Sequence, residues 1–169
     1  MVTVNFNRKD MSAIEQAAMA RWQLARAAAI GDQRRADNDG AGIDRVGVMA
    51  EVAVARLLGA DYSLTSIGID SGIDMWVGSV SIDVKGTMRP NGRLLFKNIA
   101  AFKADTAVLV NTVDGNEMAV QVMGGIGKHA FNNVATMRDL GRGQTMVCEI
   151  EQLMPIEEFW LALMKRKFA

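Results

Sequence analysis

Two acids and an amine crowd into one short segment, Asp74-Met75-Trp76-Val77-Gly78-Ser79-Val80-Ser81-Ile82-Asp83-Val84-Lys85. Gly78 and Ser79 suit a two-residue hairpin turn between short strands. With Val77 paired to Val80, counting back sets Asp74 opposite Asp83, and opposed side chains have Cβ atoms roughly 4.5–5.5 Å apart. Carboxylates that close repel each other unless a proton or a cation lies between them. A hard divalent cation such as Mg²⁺ resolves the conflict, because it binds through one or two carboxylates and keeps waters for a substrate. Alternation along the second strand turns Val80, Ile82 and Val84 to the core, so Asp83 and Lys85 are expected to point out together. The same register faces Lys85 with Gly72, which leaves open space beside the amine.

A third acid comes from an earlier helix. Glu51 borders the apolar stripe of Val46, Ala50, Ala53 and Leu57, and an acid seldom approaches a core without a partner. Asp70 competes for the same metal from the loop, outside the hairpin register. The plainer alternatives are a solvated Glu51 on an amphipathic helix and a surface ion pair between Asp83 and Lys85. Gly127-Lys128-His129 could extend the site, although a lone His is more often structural.

After Asp83 no acid occurs until Asp105, whereas Lys85, Arg89, Arg93, Lys97 and Lys103 all fall in this stretch. Arg89 and Arg93 flank the turn Pro90-Asn91-Gly92, and Lys97 lies on the strand returning from it. If that strand pairs beside the Asp83 strand, these cations line one rim of the site, where a phosphate chain would pass. A basic face that merely solubilises the turn is the alternative.

The elements that position these residues follow from periodicity. A helix is expected over residues 11–30, with Ile14, Ala18, Trp22, Ala25 and Ala29 on one stripe, inside an N-terminal helical segment of about residues 11–36. A second helix spans residues 43–58 and stops at Gly59, after a joint at residues 37–42. Beyond the hairpin, strands are expected at residues 94–99, 106–113 and 118–123. A helix follows at 128–138, then a strand at 145–150 and a closing helix from Pro155. Glu157 and Glu158 open that last helix, and Lys165, Arg166 and Lys167 close it, as the helix dipole favours. The whole chain, residues 1–169, reads as one α/β domain with a central mixed β-sheet flanked by helices.

Composition excludes several classes. The lone Cys148 rules out an internal disulfide and sits in an apolar stretch that suits a buried thiol, and a single His leaves no Cys/His zinc cluster to assemble. Residues 1–10 are polar and no apolar run approaches a membrane span, so a cytoplasmic protein without a membrane partner is expected. A net charge of +0 weakens any general attraction for a polyanion and leaves the local distribution to decide. The first helix, with Trp22 on its stripe, could pack on a second subunit and make a homodimer.

A helix bearing Glu, then an Asp before a short hairpin, then Asp-x-Lys on the next strand resembles the PD-(D/E)xK, or restriction-endonuclease-like, nuclease superfamily. Glu51 matches its helix acid, Asp74 its first Asp, and Asp83 with Lys85 its (D/E)xK pair. The resemblance covers residues 43–122, and departs in that Ile73 stands where Pro often precedes the first Asp. It implies a Mg²⁺-dependent deoxyribonuclease, with Mn²⁺ able to substitute, that holds metal through Asp74, Asp83 and Glu51. Lys85 would orient water or stabilise charge, and Arg89, Arg93 and Lys97 would contact DNA. Products would carry 5′-phosphate and 3′-hydroxyl ends. Holliday-junction resolvases share this layout. The competing expectation is a catalytically inactive module of the same fold that binds nucleic acid or a protein.

Overall fold

The computed structural model describes residues 1–27, 40–64, 72–141 and 143–167. Asp70, residues 37–39 of the joint expected at 37–42 and the end of the expected N-terminal helical segment lie outside them, while residues 40–42 of that joint are helical instead.

The chain opens with strand β1 (Val2–Asn5), which the sequence reading did not anticipate, and continues through helices α1 (Arg8–Ala27) and α2 (Gly40–Leu58). The hairpin of β2 (Met75–Val77) and β3 (Val80–Thr87) comes next, followed by β4 (Leu94–Phe96) and a 3₁₀ turn at Ile99–Ala101. A long pair, β5 (Thr106–Val113) and β6 (Asn116–Gly127), leads into the short helix α3 (Lys128–Val134). This helix is shorter than expected, because residues 136–139 turn into β7 (Thr136–Asp139), which pairs with β8 (Gln144–Cys148). β9 (Met154–Pro155) and α4 (Ile156–Lys167) finish the chain, with Glu157 and Glu158 in the first helical turn.

The central sheet runs β1-β6-β5-β3-β2, with β9 also on β6. β3 and β5 are parallel and the other pairs antiparallel, so the sheet is mixed, as expected. Helices cover one face. Met11, Ile14, Ala17 and Ala18 of α1 and the apolar stripe of α2 share a core with Val80, Ile82 and Val84, and α4 adds Ile156, Phe159 and Leu163. The first helix therefore packs on its own chain. α2 crosses β3 closely: a Cβ on Gly86 would stand 3.0 Å from the Val46 carbonyl oxygen, so glycine there sets the approach of the helix that carries Glu51.

The second face is covered as well. A smaller sheet, β4-β8-β7, packs Leu94, Phe96 and Cys148 with Phe102 and Phe131 against Ala107, Leu109 and Ile126. Phe96 stacks on Phe102 with ring centroids 4.3 Å apart, and Phe131 meets both edge-on. Two expectations are corrected here. The strand beginning at Leu94 pairs with β8 and not beside the Asp83 strand. Asp83 is also not exposed; the face it shares with Lys85 lies under this second layer, and Asp83 retains only 1% of its accessible surface.

Candidate active site at the edge of the central sheet

The hairpin turns where glycine permits it, with Gly78 at φ 61°. Val77 pairs with Val80, Trp76 with Ser81 and Met75 with Ile82, the register expected from the turn. β2 then stops while β3 runs on to Thr87, which leaves backbone groups of β3 without a strand neighbour on that side. Asp74 fills the gap. Its own N–H donates to the Ile82 carbonyl at 2.9 Å, and its Oδ2 accepts from the Val84 N–H at 2.6 Å. The carboxylate thus sits along the strand edge, where it replaces a missing ladder bond.

Charges converge on it from three directions. Burial pushes the Asp74 carboxyl up to about 7, the negative charges of Glu51 and Asp83 add to the rise, and the Val84 N–H and Lys85 oppose it. Glu51 arrives from α2 on the helical side. Asp83 and Lys85 lie on the opposite side of β3 and form an ion pair, Nζ to Oδ1, of 2.6 Å. The Lys85 ammonium also stands 5.4 Å from the centre of the Phe96 ring, a cation–π contact that ties the amine to the second layer. Glu51, Asp74, Asp83 and Lys85 are therefore electrostatic neighbours, with Asp74 between the other two acids.

Glu51 is 7% exposed, and it is not solvated on a helix surface. Arg21 of α1 grips it with both arms, Nη1 to Oε1 and Nη2 to Oε2 at 2.6 Å each, and the Tyr62 hydroxyl donates to Oε2 at 2.6 Å. The bidentate pair holds the Arg21 guanidinium charged, and burial beside Glu51 raises the Tyr62 phenol, so Tyr62 remains a donor. Neither partner was anticipated. For Arg21 a signal existed: with Ile14, Ala17 and Ala18 it falls on one helical stripe, a cation on a buried face that calls for an acid opposite. For Tyr62, four residues beyond the end of α2, there was none.

Of the expected phosphate contacts, Arg93 is engaged elsewhere, with Nε 2.8 Å from Glu149, a carboxylate that also takes Arg138 at 2.7 Å. Arg89 and Lys97 are exposed. The turn between Arg89 and Arg93 is pinned to β5, where Asn111 Nδ2 donates to the Pro90 carbonyl at 2.6 Å. Lys103, in the same basic run, passes its stem 2.9 Å from where a Cβ on Gly72 would be, two residues ahead of Asp74. The expected open space at Gly72 is thus taken by a cation's stem. His129 lies 3.3 Å from Asn133 on its own helix, a local role.

Among the described residues no group of three or more His, Cys, Asp or Glu is arranged to hold a metal. Glu51 already gives both oxygens to Arg21 and Tyr62. Asp74 and Asp83 are the two further carboxylates, and Asp83 is itself paired with Lys85 at 2.6 Å, so Mg²⁺ completed by water would bind them in competition with that ion pair. The raised Asp74 carboxyl fits that use, since a buried acid beside two others gains from any cation that replaces its proton. Neither the comparison with family models nor that with curated proteins finds a match for the chain.

Proposed function

We propose that the chain is a divalent-metal-dependent nuclease of the restriction-endonuclease-like type that hydrolyses phosphodiester bonds of DNA in the cytoplasm. One observation carries the reading: at the point where β2 ends and β3 continues, Asp74 stands within electrostatic reach of Glu51, Asp83 and Lys85. The resemblance in residue order supports it, and among the described residues no helix is long and apolar enough to cross a membrane. Asp74 and Asp83 would hold Mg²⁺ or Mn²⁺, which when bound polarises a phosphodiester and lowers the pKa of water. Lys85, half-exposed and oriented by Asp83 and Phe96, offers its remaining N–H donors to the phosphate oxygen on which charge grows. Glu51, clamped by Arg21 and Tyr62, holds a fixed negative charge beside Asp74 and so favours a cation there.

A specific observation favours a second reading, an inactive module of the same fold. Glu51 and Asp83 each already have a cation from their own chain, Arg21 and Lys85. The two readings part on one experiment: incubation with supercoiled, linear, branched and single-stranded DNA in Mg²⁺ or Mn²⁺, with EDTA as control. Metal-dependent scission of any of these supports the nuclease; binding without scission supports the module.

A further inference from the structure

β2 carries one feature that neither the core nor the acids use. Met75 and Val77 are buried, whereas Trp76 between them keeps 54% of its surface in solvent. An indole normally hides about 150–250 Å² of surface when it serves a core. Here it stands on the terminal strand of the sheet order, with β3 as its one neighbour among the described strands.

Its position is set by register. Trp76 pairs with Ser81, and alternation places it on the same face as Asp83 and Lys85. Asp83 is then its diagonal neighbour, roughly 7–8 Å away, a separation that aromatic side chains span. Ser81 is small and turned aside: its hydroxyl donates to Asp105 Oδ2 at 2.6 Å and accepts from the Asp105 N–H at 2.9 Å, so it leaves the indole uncovered. Cations lie further along the same edge: Lys103 passes Gly72, and Lys85 pairs with Asp83, each about four strand residues from the Trp76–Ser81 pair, roughly 13 Å. An exposed aromatic plane in line with cations that can track a backbone is how proteins hold single strands, because every base has a π-face.

Resting on the nuclease reading above, we propose that Trp76 is a stacking platform for an unpaired base of the strand whose phosphate lies at Asp74 and Asp83. The base plane lies on the indole, and phosphates further along the strand meet Lys85 and Lys103. Bases stacked inside an intact duplex cannot present a face to it, so the site prefers single-stranded segments, flaps or frayed ends.

The test reads binding without cleavage, in Ca²⁺, with a fluorescein-labelled oligothymidylate and a blunt hairpin duplex of equal length. Trp76→Ala is expected to weaken oligothymidylate binding about 5- to 150-fold and to leave duplex binding unchanged, while Trp76→Phe keeps most of the affinity. In the Trp22→Phe, Trp160→Phe background, oligothymidylate is expected to quench the remaining Trp76 emission. Circular dichroism melts report whether each Trp76 variant is folded; if the Ala variant is not, the quench of Trp76 emission carries the test, and an emission that oligothymidylate leaves unchanged overturns the proposal. Unchanged oligothymidylate binding, an equal loss on both probes, or a shift from dimer to monomer without any effect on DNA would each overturn the proposal. The last would mean that Trp76 meets a second copy of the chain. A protein that binds through Trp76 but never cuts contradicts the nuclease reading alone; one that cuts and ignores Trp76 contradicts this inference alone.

Discussion

Asp74 is the residue on which the account turns, and its protonation has a consequence for stability. Burial first, then Glu51 and Asp83, lift its carboxyl from 3.8 to about 7. The native state therefore holds this proton more tightly than the unfolded chain does. The resulting stability is fully present below pH 3.8 and is lost as pH rises to about 7, with a limiting slope of about 1.4 kcal/mol per pH unit. In EDTA, Asp74→Asn should flatten that decline and be more stable than wild type at pH 8, as read from urea melts across the window. An identical pH slope in both proteins would show that Asp74 is not the buried acid described.

At the scale of elements, the clamp between α1 and α2 sets where Glu51 stands. Arg21→Ala leaves a buried carboxylate with Tyr62 alone and should cost about 3 kcal/mol, the low end for a broken buried pair because Arg21 is partly exposed. Tyr62→Phe removes one hydrogen bond to a charged group and should cost about 1.5 kcal/mol. Denaturant unfolding that finds both variants within about 0.5 kcal/mol of wild type would contradict the clamp. The hairpin was legible in the sequence because Gly78-Ser79 and the valines either side leave one comfortable register. α2 was legible through its periodicity and β5 through its apolar β-branched run before the Asp114–Asn116 turn. β1 was not: four residues of mixed polarity carry little signal, and their place is decided by the free edge of β6. The partner of β4 was equally hidden, since a strand's sequence reports its faces and not its neighbour. Alternation correctly separated Asp83 from Val84, but it cannot say that a second layer covers the polar face. The unbroken apolar run Ala107-Val108-Leu109-Val110, which faces both cores, was the available hint.

The whole molecule is neutral, so attraction for a polyanion depends on how charge is distributed rather than on its sum. Arg93 and Arg138 share Glu149, whereas Lys97 and Lys103 lie exposed. Replacing Lys97 and Lys103 together with Ala should flatten the salt dependence of DNA binding by about two units. Arg93→Ala should leave that slope alone and instead loosen the smaller sheet. A slope that responds to Arg93 and not to the lysines, measured by anisotropy over a salt series, would relocate the nucleic-acid face. A metal-dependent phosphodiesterase site at the edge of β3 would show itself as scission of DNA in Mg²⁺ or Mn²⁺. Wild type is compared with Asp83→Asn, Lys85→Met and, as a control bonded to Glu117 and to none of the four site residues, Arg45→Ala. Wild type and Arg45→Ala are expected to cut until EDTA is added, and the other two variants to cut at least about 100-fold more slowly. Undiminished cutting by folded Asp83→Asn, or no cutting by wild type on any substrate in either metal, would contradict it.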